Sequence, residues 1–306
     1  MRLLAIVGPT ASGKTELALN LAEQLKGEII SADSRQVYRY LDIGTSKPTK
    51  DDIKRIPHHF VDLLDPSEDY SAGAFGVQAR KKVSEISGRN RQPLLVGGSG
   101  LYIKAVIDGL FEGPGKDPEL RSQLYAQLET MGAKALLEKL QAVDPSSAAR
   151  MDISKPRRII RALEVYYTTG IPLSSFHKQQ SSISPFTTVQ FAIAWSRSQL
   201  YDRINKRVES MLSVGFVDEV RRLRDRGYNR SLNALNTVGY KEAFDHIDGR
   251  ISYEDMTERI KRNTRRFAKR QMTWFNGDKR VIWLKPDETL PFTQFADAVI
   301  REFKQH

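Results

Sequence analysis

Residues 8 to 15 read Gly8-Pro9-Thr10-Ala11-Ser12-Gly13-Lys14-Thr15, the spacing GxxxxGK[ST] of a phosphate-binding loop. The chemistry such a pattern performs is capture of a diphosphate or triphosphate. Gly8 and Gly13 let backbone N–H groups converge on an anion beside the positive end of a following helix. Lys14 adds a cation, and Thr15 offers a hydroxyl to a magnesium ion. A second chemical group is Asp33, in Ser31-Ala32-Asp33-Ser34-Arg35-Gln36-Val37-Tyr38. A carboxylate there suits either a magnesium shell or general-base work, and a plain cap or turn role stays open. The third feature is Arg259 to Arg270, where seven of twelve residues are cationic and none is acidic. A solvated helix face normally intersperses acids four residues from its bases, so this one reads as a binder of backbone phosphates. Arg157, Arg158 and Arg161 share a second helical face suited to phosphates. His58-His59 reads as a turn before a strand rather than a metal site, because no carboxylate stands at helical spacing.

These groups need elements to hold them. Leu3 to Val7 is an apolar run that reads as a strand entering the loop, and Leu17, Leu21 and Leu25 mark a helix leaving it. Further strands are expected at Glu28–Ala32, His59–Leu63, Pro93–Gly97, Phe191–Trp195 and Arg280–Leu284. Helical patterns cover Tyr70–Ser87 and Ser99–Asp108. The alternation predicts an α/β fold, a P-loop NTPase-like parallel sheet flanked by helices. In such a sheet the C-terminal strand ends line the ligand crevice, which brings Asp33 near the phosphate loop. The end of the third long strand, Gly97-Gly98-Ser99-Gly100, carries no carboxylate, and its glycines let something approach the backbone closely.

Gly113-Pro114-Gly115 breaks the alternation. From Pro118 to Gly170 the texture is helical, with Gly170 as a C-cap. The expected organisation is a core of residues 1–112 and 188–306 with an all-helical insertion domain at 113–187. Long helices are expected at Ser198–Leu212, Phe216–Arg226, Leu235–Ile247 and Tyr253–Trp274. In the last of these Ile260, Thr264, Phe267, Gln271 and Trp274 form one stripe, flanked by the cations.

Of the net charge of +11, +8 lies in residues 197–280, which hold 20 of the 48 basic and 12 of the 37 acidic residues. That asymmetry favours a polyanion partner. The chain has no cysteine, which excludes disulfides and thiolate metal sites. No apolar run approaches a membrane span, and the first strand is too short for a signal peptide. A cytoplasmic protein with no membrane partner is expected.

On these residues the chain resembles the tRNA dimethylallyltransferases. The resemblance runs through Gly8–Thr15, Asp33–Tyr38, Asp42-Ile43-Gly44-Thr45-Ser46-Lys47-Pro48, Pro57-His58-His59, Asp65-Pro66 and Tyr70-Ser71-Ala72. It continues through Gly97–Tyr102, Arg161-Ala162-Leu163-Glu164-Val165, Gly239-Tyr240 and Lys269-Arg270-Gln271. Ser99 stands where the family more often has Thr and keeps the hydroxyl.

The resemblance implies dimethylallyl diphosphate as donor, magnesium as cofactor, and a tRNA whose target adenosine, just 3′ of the anticodon, is extruded into the enzyme. It implies Asp33, Thr10 and Arg221 at the reaction centre, Arg221 near the diphosphate. The resemblance implies tRNA contacts at Asp33, Ser34, Arg35 and Gln36, at Arg157, Arg158 and Arg161, at Asn236 to Lys241 with Gly239 and Lys241 among them, and at Lys269 to Asn276 with Lys269 and Arg270 among them; Ser99, Arg121, Arg265 and Arg266 are expected to join them. A monomer binding the anticodon stem-loop is expected. The rival enzymatic reading is an ATP-dependent small-molecule or nucleoside kinase, which leaves the basic C-terminal third idle. A GTPase-like RNA-binding module is the other class, but there is no Asn-Lys-x-Asp guanine-reading segment.

Overall fold

Successive residues of a strand point to opposite faces, and in Leu3-Leu4-Ala5-Ile6-Val7 every side chain is buried. A strand apolar on both sides belongs in the middle of a parallel sheet covered by helices. β1 (Arg2–Val7) takes that place. With β2 (Gly27–Ser31), β3 (His58–His59), β4 (Gln92–Gly97), β5 (Thr187–Ile193) and β6 (Val281–Leu284) it forms an all-parallel sheet of order β3-β2-β4-β1-β5-β6. The computed structural model of the chain describes residues 1–110, 115, 117–179, 185–286 and 292–305.

The described chain divides into two compact units, Met1–Ile107 with Ser184–His306, and Asp108–Ile183. The helices of the first are α1 (Lys14–Gln24), α2 (Lys50–Arg55), α3 (Ala72–Gly88) and α4 (Gly100–Ile107). Those of the second are α5 (Pro118–Val143), α6 (Pro145–Ala148), α7 (Pro156–Thr169) and α8 (Leu173–Gln179). The first unit resumes with α9 (Arg197–Ser213), α10 (Phe216–Asp225), α11 (Tyr240–Ile247), α12 (Tyr253–Asn276) and α13 (Phe292–Gln305).

The alternation within β1 decides what covers the sheet. Leu3, Ala5 and Val7 pack with Ile30 and Leu95 under Phe75, Ala79 and Val83 of α3 and Ile103 and Val106 of α4. Leu4 and Ile6 pack with Ile29 and Leu94 under Leu17 and Leu21 of α1 and Val299 and Phe303 of α13. A separate core unites α9–α12 (Val208, Phe216, Val220, Tyr240, Met256, Ile260) with Val37, Tyr38 and Leu41 from the chain after β2. In the second unit Leu124, Leu136 and Leu140 of α5 pack on Ile159, Ile160 and Leu163 of α7. Among its described residues the second unit contains only helices. Asp117 caps α5, accepting the Leu120 N–H, and Gly170 closes α7 at φ 70°.

Four expectations need correction. The strand expected at His59–Leu63 is only His58–His59, because Phe60 (φ 66°) and Asp62 (φ 53°) adopt left-handed backbone that no strand continues. β5 begins at Thr187 and ends at Ile193, so Gln190 lies inside the strand. The helix expected from Leu235 begins at Tyr240. Gly239 (φ 93°) turns the chain there, and its N–H is taken by Glu242 at 2.8 Å. In α12 Met256, Ile260, Ala268, Gln271 and Phe275 are buried, whereas Phe267 and Trp274 of the expected stripe are exposed. Gly113 and Pro114 of the expected boundary lie outside the described residues. No helix among the described residues is long and apolar enough to cross a membrane.

Candidate active site

The loop after β1 opens through Gly8 (φ 128°), Ala11 (φ 63°) and Gly13 (φ 91°), after which Lys14 starts α1. This backbone turns its N–H groups and the helix N-terminus toward one cavity of about 980 Å³. Thr10 to Glu16 line it, while Gly8 and Pro9 are not part of its lining. Distant side chains then fix the loop. Trp195 Nε1 donates to the Ser12 carbonyl at 2.8 Å, and Arg203 Nε to the Ala11 carbonyl at 2.9 Å. The Arg203 guanidinium lies 4.4 Å over the Trp195 ring. Gln271 of α12 accepts the Thr10 N–H at 2.9 Å and donates to the Gly98 carbonyl at 2.9 Å.

Lys14 donates to the Pro9 carbonyl. Burial, and after it the Arg207 guanidinium, push the Lys14 ammonium down to about 7, with Asp33 pulling the other way. Arg207 donates to Thr10 Oγ1 at 2.8 Å. Burial lowers its affinity for a proton as well, again opposed by Asp33. Asp33 therefore acts on both cations from across the cavity it borders. A site holding two crowded cations and one carboxylate is preorganised for a polyanion.

β4 lies between β1 and β2 in the sheet, so its end separates the loop from Asp33. The glycines there are required by packing. A Cβ on Gly97 would lie 2.2 Å from the Ala32 carbonyl oxygen, and one on Gly98 2.2 Å from Gln271 Nε2. A Cβ on Gly100 would lie 2.3 Å from Trp274 Nε1. What approaches the backbone is thus the protein itself. Asp33 Oδ1 accepts the Arg35 N–H at 2.8 Å, and Ser99 Oγ accepts the Ser34 N–H at 3.0 Å. The cap role left open for Asp33 is therefore filled as well, by one oxygen.

A further wall of the cavity comes from Gly44–Ser46 and Asn236–Glu242, with Asn263, Thr264, Arg266, Phe267 and Arg270 of α12. Gln36 donates to the Thr45 and Ser46 carbonyls at 3.2 and 3.0 Å, and accepts Ser31 Oγ at 2.8 Å.

The structure thus brings together Thr10 to Thr15, Asp33, Ser34, Arg35, Gln36, Ser99, Gly239, Lys241, Arg266 and Arg270 around one cavity. Arg265 and Lys269 belong to α12 but not to the cavity lining; Arg265 donates to Asn205 Oδ1 at 2.7 Å. Arg221 stays away from the loop, half-exposed on α10 and paired with Asp218 at 2.6 Å. In the second unit Arg157 and Arg158 are exposed at the start of α7. Arg121 and Arg161 instead clasp the buried Glu164 at 2.5 and 2.8 Å. Burial alone would raise the Glu164 carboxyl, yet those two bonds hold it below the ordinary range. His59 Nε2 donates to the Glu28 carboxylate at 2.8 Å, and no group of three or more His, Cys, Asp or Glu forms a metal cluster among the described residues.

Arg203 and Arg207 escaped the sequence reading, and Gln271 entered it only through the α12 stripe and the family motif, with no role at the phosphate loop. The two arginines are four apart beside Leu200, Ile204 and Val208, a pattern shared with any surface helix. Gln271 reads as one more member of a stripe; only its contacts distinguish it.

Comparison with known proteins agrees with this geometry. Residues 36–278 match the family described as IPP transferase, and residues 1–70 that described as isopentenyl transferase. The chain is 45% identical over 288 residues to tRNA dimethylallyltransferase 1 of Pelobacter propionicus, covering 94% of this chain and 93% of that protein. It is 43% identical over 301 residues to tRNA dimethylallyltransferase of Geobacillus thermodenitrificans, covering 98% and 95%. The crystal structure of the full-length tRNA isopentenylpyrophosphate transferase of Bacillus halodurans matches with a TM-score of 0.73 at 40% identity, covering 99% of this chain and 97% of that one. A eukaryotic dimethylallyltransferase seen acting on tRNA matches with a TM-score of 0.83 at 27% identity, covering 99% and 79%. With the phosphate loop, its carboxylate and its cationic helix on one cavity, and with relatives of this similarity along almost its whole length, the chain belongs to the IPP transferase family.

Proposed function

We propose that this protein transfers a dimethylallyl group from dimethylallyl diphosphate to the exocyclic N6 amine of the adenosine 3′ of the anticodon in tRNA, releasing diphosphate. The observation that carries the reading is the single cavity that the phosphate loop, Asp33 and the cations of α12 all border.

The adenine amine is a poor nucleophile, because its lone pair is delocalised into the ring. In this reading Asp33 accepts its proton as the C–N bond forms and the allylic C–O bond breaks, a contribution of roughly 10²–10⁴-fold in rate. Negative charge grows on the departing diphosphate, where the loop N–H groups, Lys14 and Arg207 meet it. Arg207 takes the role expected of Arg221, because it holds Thr10 at the loop while Arg221 faces Asp218. Thr10 then stands beside the reacting groups.

With Asp33 serving as the base, the Thr15 hydroxyl is the hard oxygen donor that the cavity offers a magnesium ion. So few protein ligands suit Mg²⁺, which keeps waters and substrate oxygens in its shell. When bound, the ion would neutralise charge on the diphosphate.

The target base must leave its stack to reach Asp33, at a cost of a few kcal/mol. Contacts of Arg266, Arg270 and Lys241 with loop phosphates offset it, aided on the helical insertion (113–187) by Arg157 and Arg158. Ser34, Arg35, Gln36, Ser99 and Gly239 shape the wall that receives the base. The working unit is a monomer in the cytoplasm. A kinase reading would leave the cationic wall without a ligand.

Label transfer from dimethylallyl diphosphate to unmodified tRNA, with ATP hydrolysis followed in parallel, tests the reading. Label on an adenosine beside the anticodon without ATP consumption is the expected result. ATP turnover without transfer would overturn it.

A further inference from the structure

Glu219 is a charged residue only 4% exposed, on α10, and it lies outside the lining of the cavity that the phosphate loop borders. Its carboxylate is surrounded by donors. Oε2 accepts the N–H groups of Asp42 and Ile43 at 3.0 and 2.6 Å; Oε1 accepts the Gly44 N–H at 3.2 Å and the Tyr240 hydroxyl at 2.7 Å. Three successive backbone N–H groups form the kind of concavity that elsewhere captures a free anion. Here the chain fills it with its own carboxylate. Tyr240 is fully buried, and burial first and the carboxylate second keep its hydroxyl protonated. Its ring and that of Phe216 meet edge to face at 5.2 Å. A Cβ on Gly44 would come within 2.5 Å of Phe216 and 2.6 Å of Tyr240.

Both segments that Glu219 binds continue directly into the lining of the cavity that the phosphate loop also borders, one as Gly44–Ser46 and the other as Gly239–Glu242. They lie nearly 200 residues apart in sequence, and the carboxylate joins them. The Gly44–Ser46 segment is also tied through Gln36 to the strand end that carries Asp33. We propose that Glu219 is a positioning residue for the acceptor: it never touches substrate, but it sets the wall against which the extruded base and its flanking phosphates seat. The inference rests on the prenyl-transfer reading, since that reading makes this wall the acceptor side.

The chemistry of the pocket predicts how it fails. All four partners are donors, so Glu219→Gln must aim an amide NH₂ at one or more of them. Tyr240 can rotate to accept, but the Gly44 N–H cannot. Tyr240→Phe removes one bond and leaves the three N–H bonds intact. Binding of an anticodon stem-loop RNA, followed by fluorescence anisotropy, and binding of dimethylallyl diphosphate, followed by calorimetry, are measured separately on each folded variant. Glu219→Gln should weaken RNA binding by about 10–100-fold, the effect of losing charge-assisted bonds to a buried carboxylate, while diphosphate affinity changes less than about two-fold. Tyr240→Phe should weaken RNA binding by about two- to ten-fold with the same selectivity. Steady-state assays should show the loss in KM for RNA, with KM for the diphosphate unmoved. Equal loss of both affinities, or unchanged RNA affinity in both variants, would overturn the proposal. Wild-type protein that binds RNA but transfers no label would instead overturn the reading on which it rests.

Discussion

The loop of residues 8–15 and the wall of residues 44–46 and 236–242 contribute to one cavity, yet they reach their shapes by different means. The loop is eight consecutive residues whose glycines and helix start already aim N–H groups inward, and Trp195, Arg203 and Gln271 only hold it still. The wall has no such local logic. It is assembled from a turn after β2 and the entrance to α11, and joined by one buried carboxylate. An anion with fixed geometry can be met by a contiguous motif. A nucleobase drawn from a folded RNA needs a surface that distant segments build together.

Four experiments sharpen or break this contrast. The largest effect is expected at Asp33, which borders both walls. Asp33→Ala should lower turnover by about 10²–10⁴-fold, with RNA affinity nearly unchanged. Near-normal single-turnover rates would remove Asp33 from the base role. Arg207→Gln acts on the donor side only. Turnover per bound dimethylallyl diphosphate should drop by about 10²–10³-fold, and RNA affinity should stay put. If Arg221→Gln proved the more damaging change, the assignment of the diphosphate arginine would revert to α10.

The third test is pH. Lys14 is held down at about 7 in the free protein, so its cationic form is full below that pH and lost as pH rises through it. Diphosphate affinity should therefore decline above pH 7, approaching a tenfold loss per unit, until the bound anion restores the proton. Calorimetry between pH 6 and 9 measures it, and Lys14→Arg, which does not titrate there, should flatten the profile. RNA affinity should not share the inflection.

The smallest effect separates the two flanks of α12. Arg266 and Arg270 line the cavity, whereas Arg265 and Lys269 do not. The double variant Arg266→Gln/Arg270→Gln should weaken stem-loop binding and shallow the slope of log affinity against log salt by about 1.4, about 0.7 per contact. Arg265→Gln/Lys269→Gln should change that slope by less than half as much. Equal slopes would mean that the RNA tracks the whole helix rather than the cavity flank.

The sequence by itself determined the α/β sheet, because short runs apolar at every position, such as Leu3–Val7, set between helical patterns have few other uses. It also determined the phosphate loop and the cationic character of Arg259–Arg270, since these depend on spacing within a dozen residues. It placed Asp33 at a strand end, and the strand order then set that end one strand away from the loop, across the end of β4. It misjudged His59–Leu63 and Leu235–Gly239, where backbone with positive φ interrupts an apolar pattern. Only the tertiary structure decided that Arg207 rather than Arg221 meets the loop, that Gln271 spans Thr10 and Gly98, and that Arg121 and Arg161 are engaged with Glu164. An arginine at helical spacing reads the same whether it faces water, a carboxylate or a phosphate loop. Which it faces depends on the packing of α7, α9 and α10, and Glu219 acquires a role only when Asp42, Gly44 and Tyr240 converge on it. Local patterns encode what neighbouring residues do together; partners separated by a hundred residues or more are settled by the fold that brings them within hydrogen-bond reach, 2.8 Å for Arg207 and Thr10 and 3.2 Å for Gly44 and Glu219.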